Sequence, residues 1–189
     1  MEVNIKGKHI QDSALVCDSA RVCDSARVCD SALVYGSALV YGSALVCGSA
    51  RVCDSALVCD SARVCDSARV CGSARVYGSA RVCDSARVYG SALVAMMARI
   101  TKSSDYICFT SIGSREGNTL TAWRDVCGIG VNCGCFTGTL KEFEKRVKET
   151  HGNNEHGREY RLAIKLIKER AKRWKPITKA ERSEGSAKK

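Results

Sequence analysis

Histidine is scarce: His9, His151 and His156 are the only three in 189 residues, and none lies between residues 12 and 95. That removes the usual general base and the usual metal ligand from nearly half of the chain. No apolar run is long enough to span a bilayer and no secretory core precedes the first charged residues, so a soluble, cytoplasmic protein without a membrane partner is expected. Flat threonine arrays are missing, which argues against ice binding, and no base-reading motif accompanies the basic residues. Cysteine is the opposite case, with 13 residues, nine of them at one position of a repeat. Without a secretory signal these read as reduced thiols rather than a disulfide framework.

What is present in abundance is a period. Fourteen six-residue units run without insertion from Asp12-Ser13-Ala14-Leu15-Val16-Cys17 to Gly90-Ser91-Ala92-Leu93-Val94-Ala95. In every unit an Ala and a Val lie two apart, so both face one side of an extended strand while the residue between them faces the other. Asp-Ser or Gly-Ser follows as a corner, because Gly accepts positive φ and short polar side chains bond local backbone. A helix would carry a Gly or an Asp-Ser pair in every second turn, which excludes it. Burying one Val gains about 1.5–3 kcal/mol, whereas ordering a residue's backbone costs about 1–2 kcal/mol, so a single unit cannot persist and many must stack.

The Ala-x-Val units resemble the hexapeptide-repeat family of left-handed parallel β-helices. The resemblance implies three units per triangular coil, with residues eighteen apart stacked on one another. Lys8-His9-Ile10 and Ala98-Arg99-Ile100 continue the frame, giving about sixteen rungs in five coils, a rod of roughly 25 Å at the usual strand spacing. The expected architecture is a β-solenoid over residues 12–102, a cap at 1–11, a small α+β domain over 103–175, and a basic flexible tail at 176–189. The family also hosts acyltransferases that use coenzyme A and a catalytic His, and carbonic anhydrases that use three His on a metal. With no histidine in the repeats and no loop interrupting them, neither activity is expected, and no catalytic residue or cofactor is assigned.

Stacking at eighteen turns the variable positions into columns. The outward residues read Leu15, Leu33, Arg51, Arg69, Arg87 in the first, Arg21, Leu39, Leu57, Arg75, Leu93 in the second, and Arg27, Leu45, Arg63, Arg81 in the third. Arg51, Arg69 and Arg87 form a ladder that either receives a phosphate or carboxylate, such as an anionic nucleotide, or is solvated and paired with corner aspartates. Eight Arg and eight Asp between residues 12 and 95 make the second reading natural. The next position carries Cys or Tyr, expected as exposed strand positions without special thiol chemistry. Leu33, Tyr35, Leu39, Tyr41, Leu45 and Leu57 leave the second and third coils apolar outside, the expected interface of a homo-oligomer.

After Lys102 the period vanishes. Tyr106 to Ile112, Leu120 to Arg124 and Gly130 to Phe136 read as three strands, with a turn at 115–118. Thr139-Leu140-Lys141-Glu142 is a capping box opening a helix to about Thr150, with Leu140, Phe143 and Val147 inward. A second helix, about Glu155 to Trp174, carries Arg158, Arg161, Lys165, Lys168, Lys172 and Lys175 opposite its apolar face, and residues 151–189 hold +7 of the chain's net +10. Such a stripe either follows a polyanion, whether nucleic acid or an acidic protein surface, or is simply solvated. Cys127, Cys133, Cys135 and His151 are a weak zinc candidate, since their spacing matches no standard knuckle.

The segment from Asp105 through Ile112-Gly113-Ser114-Arg115, with Gly128-Ile129-Gly130-Val131-Asn132-Cys133-Gly134-Cys135-Phe136 and the run from Phe143 to Gly152, resembles a domain that accompanies hexapeptide repeats in phage and prophage proteins. The resemblance carries no catalytic motif. It implies a phage-borne protein acting in a host cell, with a host defence effector such as a CRISPR nucleoprotein complex as the partner. Sequestration of a nucleotide signal and a plain scaffold are the alternatives.

Overall fold

The computed structural model describes residues 10–114 and 117–183. The chain divides into two compact units, 1–103 and 104–189.

In the first unit fifteen two-residue strands follow one another every six residues, from β1 (Leu15–Val16) and β2 (Arg21–Val22) to β14 (Leu93–Val94) and β15 (Arg99–Ile100). They assemble into three five-stranded parallel sheets whose partners are eighteen apart, for example Leu33 beside Leu15 and Arg51, Leu39 beside Leu57, and Arg81 beside Arg63. The chain is thus a parallel β-solenoid of about five coils. Every valine from Val28 to Val94 is completely enclosed, and the alanines from Ala26 to Ala98 are equally buried. Val22, on a strand at the edge of its sheet, is only half-buried. Ile10 bridges Val28 and so extends the frame toward the amino end, whereas the rest of the expected cap, residues 1–9, lies outside the described residues.

The corners explain the choice of Asp and Gly. Aspartates such as Asp24 and Asp60 sit at φ near +60°, and Gly36 and Gly72 at φ of 73° and 74°, a conformation that most residues resist. Gly meets it without a Cβ clash, and Asp does so while using its carboxylate. The Asp24 Oδ2 accepts the N–H of Gly42 at 3.1 Å, Asp30 that of Gly48 at 2.8 Å, Asp54 that of Gly72 at 2.9 Å, and Asp60 that of Gly78 at 2.9 Å. Corner aspartates therefore tie one coil to the next. In the column Asp18, Gly36, Asp54, Gly72 the two residue types alternate, which keeps carboxylates from stacking at strand spacing.

The second unit is an antiparallel sheet with two principal helices. Its strands are β16 (Tyr106–Thr110), β17 (Thr119–Asp125), β18 (Gly128–Cys133) and β19 (Phe136–Thr139), hydrogen-bonded in that order. Four strands replace the three expected, because Gly134, at φ +57°, turns the chain between Cys133 and Phe136 and folds Gly130–Phe136 back on itself. The Arg115-Glu116 half of the expected first turn lies outside the described residues.

Helix α1 (Leu140–His151) opens with the capping box: Glu142 N–H donates to Thr139 Oγ1 at 3.3 Å and Thr139 N–H to Glu142 Oε2 at 2.7 Å. The Thr139 N–H and hydroxyl, both donating to Glu142 Oε2, hold the Glu142 carboxyl below its ordinary range. Helix α2 (Glu155–Ala171) ends three residues earlier than expected, at a cap on Lys172. Leu140, Phe143 and Val147 of α1 and Tyr160, Ala163, Ile164 and Ile167 of α2 close over Leu120, Ala122 and Val131 of the sheet. The expected flexible tail begins with a third, five-residue helix, α3 (Lys179–Ser183). Its anchor is Arg124 of β17, whose guanidinium grips Glu181 with both ends at 2.8 and 2.9 Å and donates to the carbonyls of Lys175 and Pro176.

Candidate functional site

The basic stripe of α2 is partly consumed by the fold. Arg158 donates to the carbonyl of Asn153 at 3.2 Å and Arg161 to that of Gly152 at 2.5 Å, so both guanidinium groups serve the turn between α1 and α2. Lys168 pairs with Glu144 of α1 and Lys172 with Glu169, each at 2.6 Å. Among the described residues, only the ammonium groups of Lys165 and Lys175 within the stripe have no such partner. The six residues do lie on the helix and just beyond it, but four of them already hold local partners.

The same helix shows something that its charge pattern concealed. Leu162 and Leu166, one turn apart, are 66% and 51% exposed, the largest exposures of apolar side chains on the helices. Arg158 precedes Leu162 by one turn and Lys165 follows it by three residues, while Glu159 and Glu169 flank the two leucines at the same spacing, so the outer face mixes leucine with charges of both signs. The signal was legible in principle, since 162 and 166 fall outside the i, i+3, i+4 set of Tyr160, Ala163, Ile164 and Ile167. On another side of α2, α1 and α2 border an open cleft of about 440 Å³ lined by Glu144, Val147, Lys148, Asn153, Arg161 and Ile164.

Of the zinc candidates, Cys133, Cys135 and His151 line one small pocket with Tyr160, but among the described residues their ligand atoms do not cluster within 4.8 Å of one another, and Cys127 lies apart. Cys127 precedes β18 and Cys133 ends it, roughly 20 Å apart in an extended strand. Cys133 instead receives a hydrogen bond from Asn118 Nδ2 at 3.2 Å and lies 3.6 Å from the Tyr160 hydroxyl, while the His151 ring packs 5.4 Å from that of Tyr160. Burial and the Cys133 contact push the Tyr160 phenol up to about 12, so the phenol keeps its proton and the cluster serves packing.

On the rod the arginine ladder is assembled as its spacing implied. Arg69 is in register with Arg51 on one side and Arg87 on the other, and all three are exposed. Among the described residues no ion pair joins these three to a corner aspartate; the carboxylates are turned along the rod toward backbone N–H groups. A second stack, Arg63, Arg81 and Arg99, became visible only with the rung at Arg99, whose guanidinium donates to the carbonyls of Ser79, Met97 and Ala98.

The leucine belt is spread around the rod. Leu33, Leu39 and Leu45 sit on three different sheets, and only Leu39 and Leu57, half-buried neighbours with Tyr41 beside them, form a patch on one face. Tyr35 and Tyr41 are tied to Cys53 and Cys59, and the hydrogen bonds raise both phenols above their ordinary range.

The thiols at the repeat position are more enclosed than an exposed strand would leave them. Cys17, Cys53 and Cys59 are buried and the other six half-buried, because residues eighteen apart cover one another. Burial pushes Cys47 up to about 11 and Cys71 likewise to about 11, the latter with help from a hydrogen bond to Cys53. Cys47 and Cys71 are therefore protonated near neutral pH.

Residues 68–84 match a family described as the YdcK beta solenoid repeat, which covers one coil of the rod. The comparisons with curated proteins and with solved structures return no match. No helix among the described residues is long and apolar enough to cross a membrane.

Proposed function

We propose that this chain is a non-catalytic binding protein that engages an acidic protein surface through the outer face of α2. The observation that carries the reading is the exposed pair Leu162 and Leu166, with the ammonium group of Lys165, partner-free among the described residues, three residues from Leu162. A phosphate backbone calls for cations alone, whereas two leucines a turn apart beside cations suit a helix that docks on a protein with an acidic rim. The rod then serves as a rigid spacer, wound left-handed as in the hexapeptide family. Its Leu39, Leu57 and Tyr41 patch supports self-association in the cytoplasm. The likeness of residues 105–152 to a domain of phage proteins makes the partner a host defence effector, such as a CRISPR nucleoprotein complex, and the activity one of inhibition.

The test is a plaque assay in a host carrying the defence system, with the chain supplied in trans. Leu162→Glu with Leu166→Glu is expected to abolish protection of the phage by at least tenfold, and Lys165→Gln to weaken it. Full protection by both folded variants would remove α2 from the mechanism.

A second reading is favoured by one observation, the in-register and ion-pair-free ladder Arg51, Arg69, Arg87. Stacked cations at strand spacing repel, and an anionic nucleotide bridging them would relieve that repulsion, most effectively in a pocket closed by a second copy. Calorimetry of wild type against Arg69→Gln with cyclic and linear nucleotides separates the two. Retention of nucleotide by the variant, or no heat with wild type, ends the sequestration reading.

A further inference from the structure

Three places on the rod bring together a thiol, the carboxylate that follows it in sequence, and the thiol one coil further on: Cys29, Asp30 and Cys47; Cys53, Asp54 and Cys71; Cys65, Asp66 and Cys83. In each, one ligand atom from every residue lies within 4.8 Å of the others. Zn–S bonds of about 2.3 Å and Zn–O bonds of about 2.0–2.2 Å place tetrahedral ligand atoms a little under 4 Å apart, so modest side-chain rotation would close each triad on one ion. We propose that these triads are binding sites for a thiophilic d¹⁰ divalent cation, zinc being the representative, each supplying two thiolates and one carboxylate and leaving one position open.

The carboxylate is prepared for this role. Asp30 Oδ2 is fixed by the N–H of Gly48 and Asp54 Oδ2 by that of Gly72, and the thiols of Cys29 and Cys53 lie 4.0 and 3.9 Å from those same carboxylates. A ligand oriented by a second bond loses less freedom on binding metal, the arrangement usual around biological zinc. The sulfurs come from adjacent rungs held in register by backbone ladders, as with Cys53 N–H on the Val70 carbonyl at 3.0 Å. Arg27, Arg69 and Arg81 lie near Cys29, Cys71 and Cys83 and offset the negative charge of the bound complex.

The pattern is selective. Each site needs a Cys-Asp dipeptide and a Cys eighteen residues after the first. Cys17-Asp18, Cys23-Asp24, Cys59-Asp60 and Cys83-Asp84 have the dipeptide, but Tyr35, Tyr41, Tyr77 and Thr101 occupy the upper position. Cys47 and Cys65 stack, but Gly48 stands where the acid would be. Three ions per chain, although there are seven Cys-Asp dipeptides, is the stoichiometry that follows. On binding, each Zn²⁺ forms two Zn–S bonds as two S–H bonds break, and two protons pass to buffer.

The experiment uses the full chain, reduced and stripped of metal, titrated with Zn²⁺ and read by native mass spectrometry, with proton release followed in weak buffer. Three bound ions and two protons per ion are expected. Cys47→Ser, Cys71→Ser and Cys83→Ser should each lower the count by one, and Cys59→Ser should not. Cobalt should give thiolate charge-transfer absorption in wild type that the triple variant lacks. An unchanged count in the triple variant overturns the proposal, since the ions would then belong to other groups. If that variant does not fold, wild type decides alone: no zinc uptake at micromolar metal, or uptake without proton release, also overturns it.

Discussion

The rod and the carboxyl-terminal domain solve the same stability problem by opposite means. In the rod every unit contributes the same small quantity, an enclosed Ala-Val pair and a corner tie, and stability grows by repetition. In the domain a few unique contacts carry the arrangement: the Thr139–Glu142 box, the Asn118–Tyr160–Cys133 knot, and Arg124 on Glu181. Repetition leaves the outer positions free to vary, so the rod tolerates Leu, Arg, Cys and Tyr outside one invariant core. The domain has no such freedom at its centre, but on the outer face of α2 it leaves Leu162 and Leu166 exposed.

Several measurements would break or sharpen this contrast. Trp123 and Trp174 both belong to the domain, so tryptophan fluorescence follows it separately while circular dichroism follows the whole chain. The largest effect is expected from Val64→Asp, which puts a carboxylate without partner into the centre of the rod. It should cost more than about 4 kcal/mol and remove the rod's transition in urea. Survival of that transition would mean that coils are far less interdependent than stacking implies.

Arg124→Met comes next, since it leaves a pocket of carbonyls and Glu181 unpaired. A loss of about 3 kcal/mol in the fluorescence-detected transition is expected, with little change in the rod. At the corners, Asp60→Ala should cost about 1–2 kcal/mol and Asp60→Gly less than about 1 kcal/mol, because Gly restores the positive φ and forfeits only the bond to Gly78. Equal costs would show that the carboxylate tie matters more than the backbone angle.

The smallest effect is a pH dependence. Burial raises the Glu181 carboxyl, but the guanidinium of Arg124 and the N–H and hydroxyl of Thr178 outweigh it and bring it down to about 2. A carboxyl depressed in the folded state stabilises above its ordinary value near 4.5, and that contribution fades as pH falls from there toward 2. Acid titration by fluorescence should show this loss in wild type and not in Glu181→Gln.

Much of the rod was legible because its rules are local or strictly periodic. Ala-x-Val fixed the inward face, Asp and Gly marked the positive-φ corners, and a spacing of eighteen put Arg51 beside Arg69. What the period could not reveal is direction: a corner Asp reads as a partner for arginine until its carboxylate is seen pointing along the rod at the next coil's N–H. In the domain, Thr139 and Glu142 announced their helix because the capping box spans three residues. The similar Thr178 and Glu181 pair went unread among lysines, and its partner Arg124 is fifty-seven residues away. The stripe on α2 misled for the same reason, since Lys168 meets Glu144 across two helices. Leu162 and Leu166 were readable in the helical register but were masked by the charges between them.

The three-sided coil also gives the chain an arithmetic. Near-identical units of six codons each are prone to gain or loss during replication, and the fold does not treat all such events alike. Loss of three units leaves every later residue on its original sheet and merely shortens the rod by one storey. Loss of one or two moves every downstream column onto a neighbouring face, so that Arg69 and Arg87 no longer stand above Arg51 and the paired thiols are dealt to new partners. Count modulo three is therefore a heritable property of this gene, and lineages that vary in length are expected to do so in steps of fifty-four nucleotides.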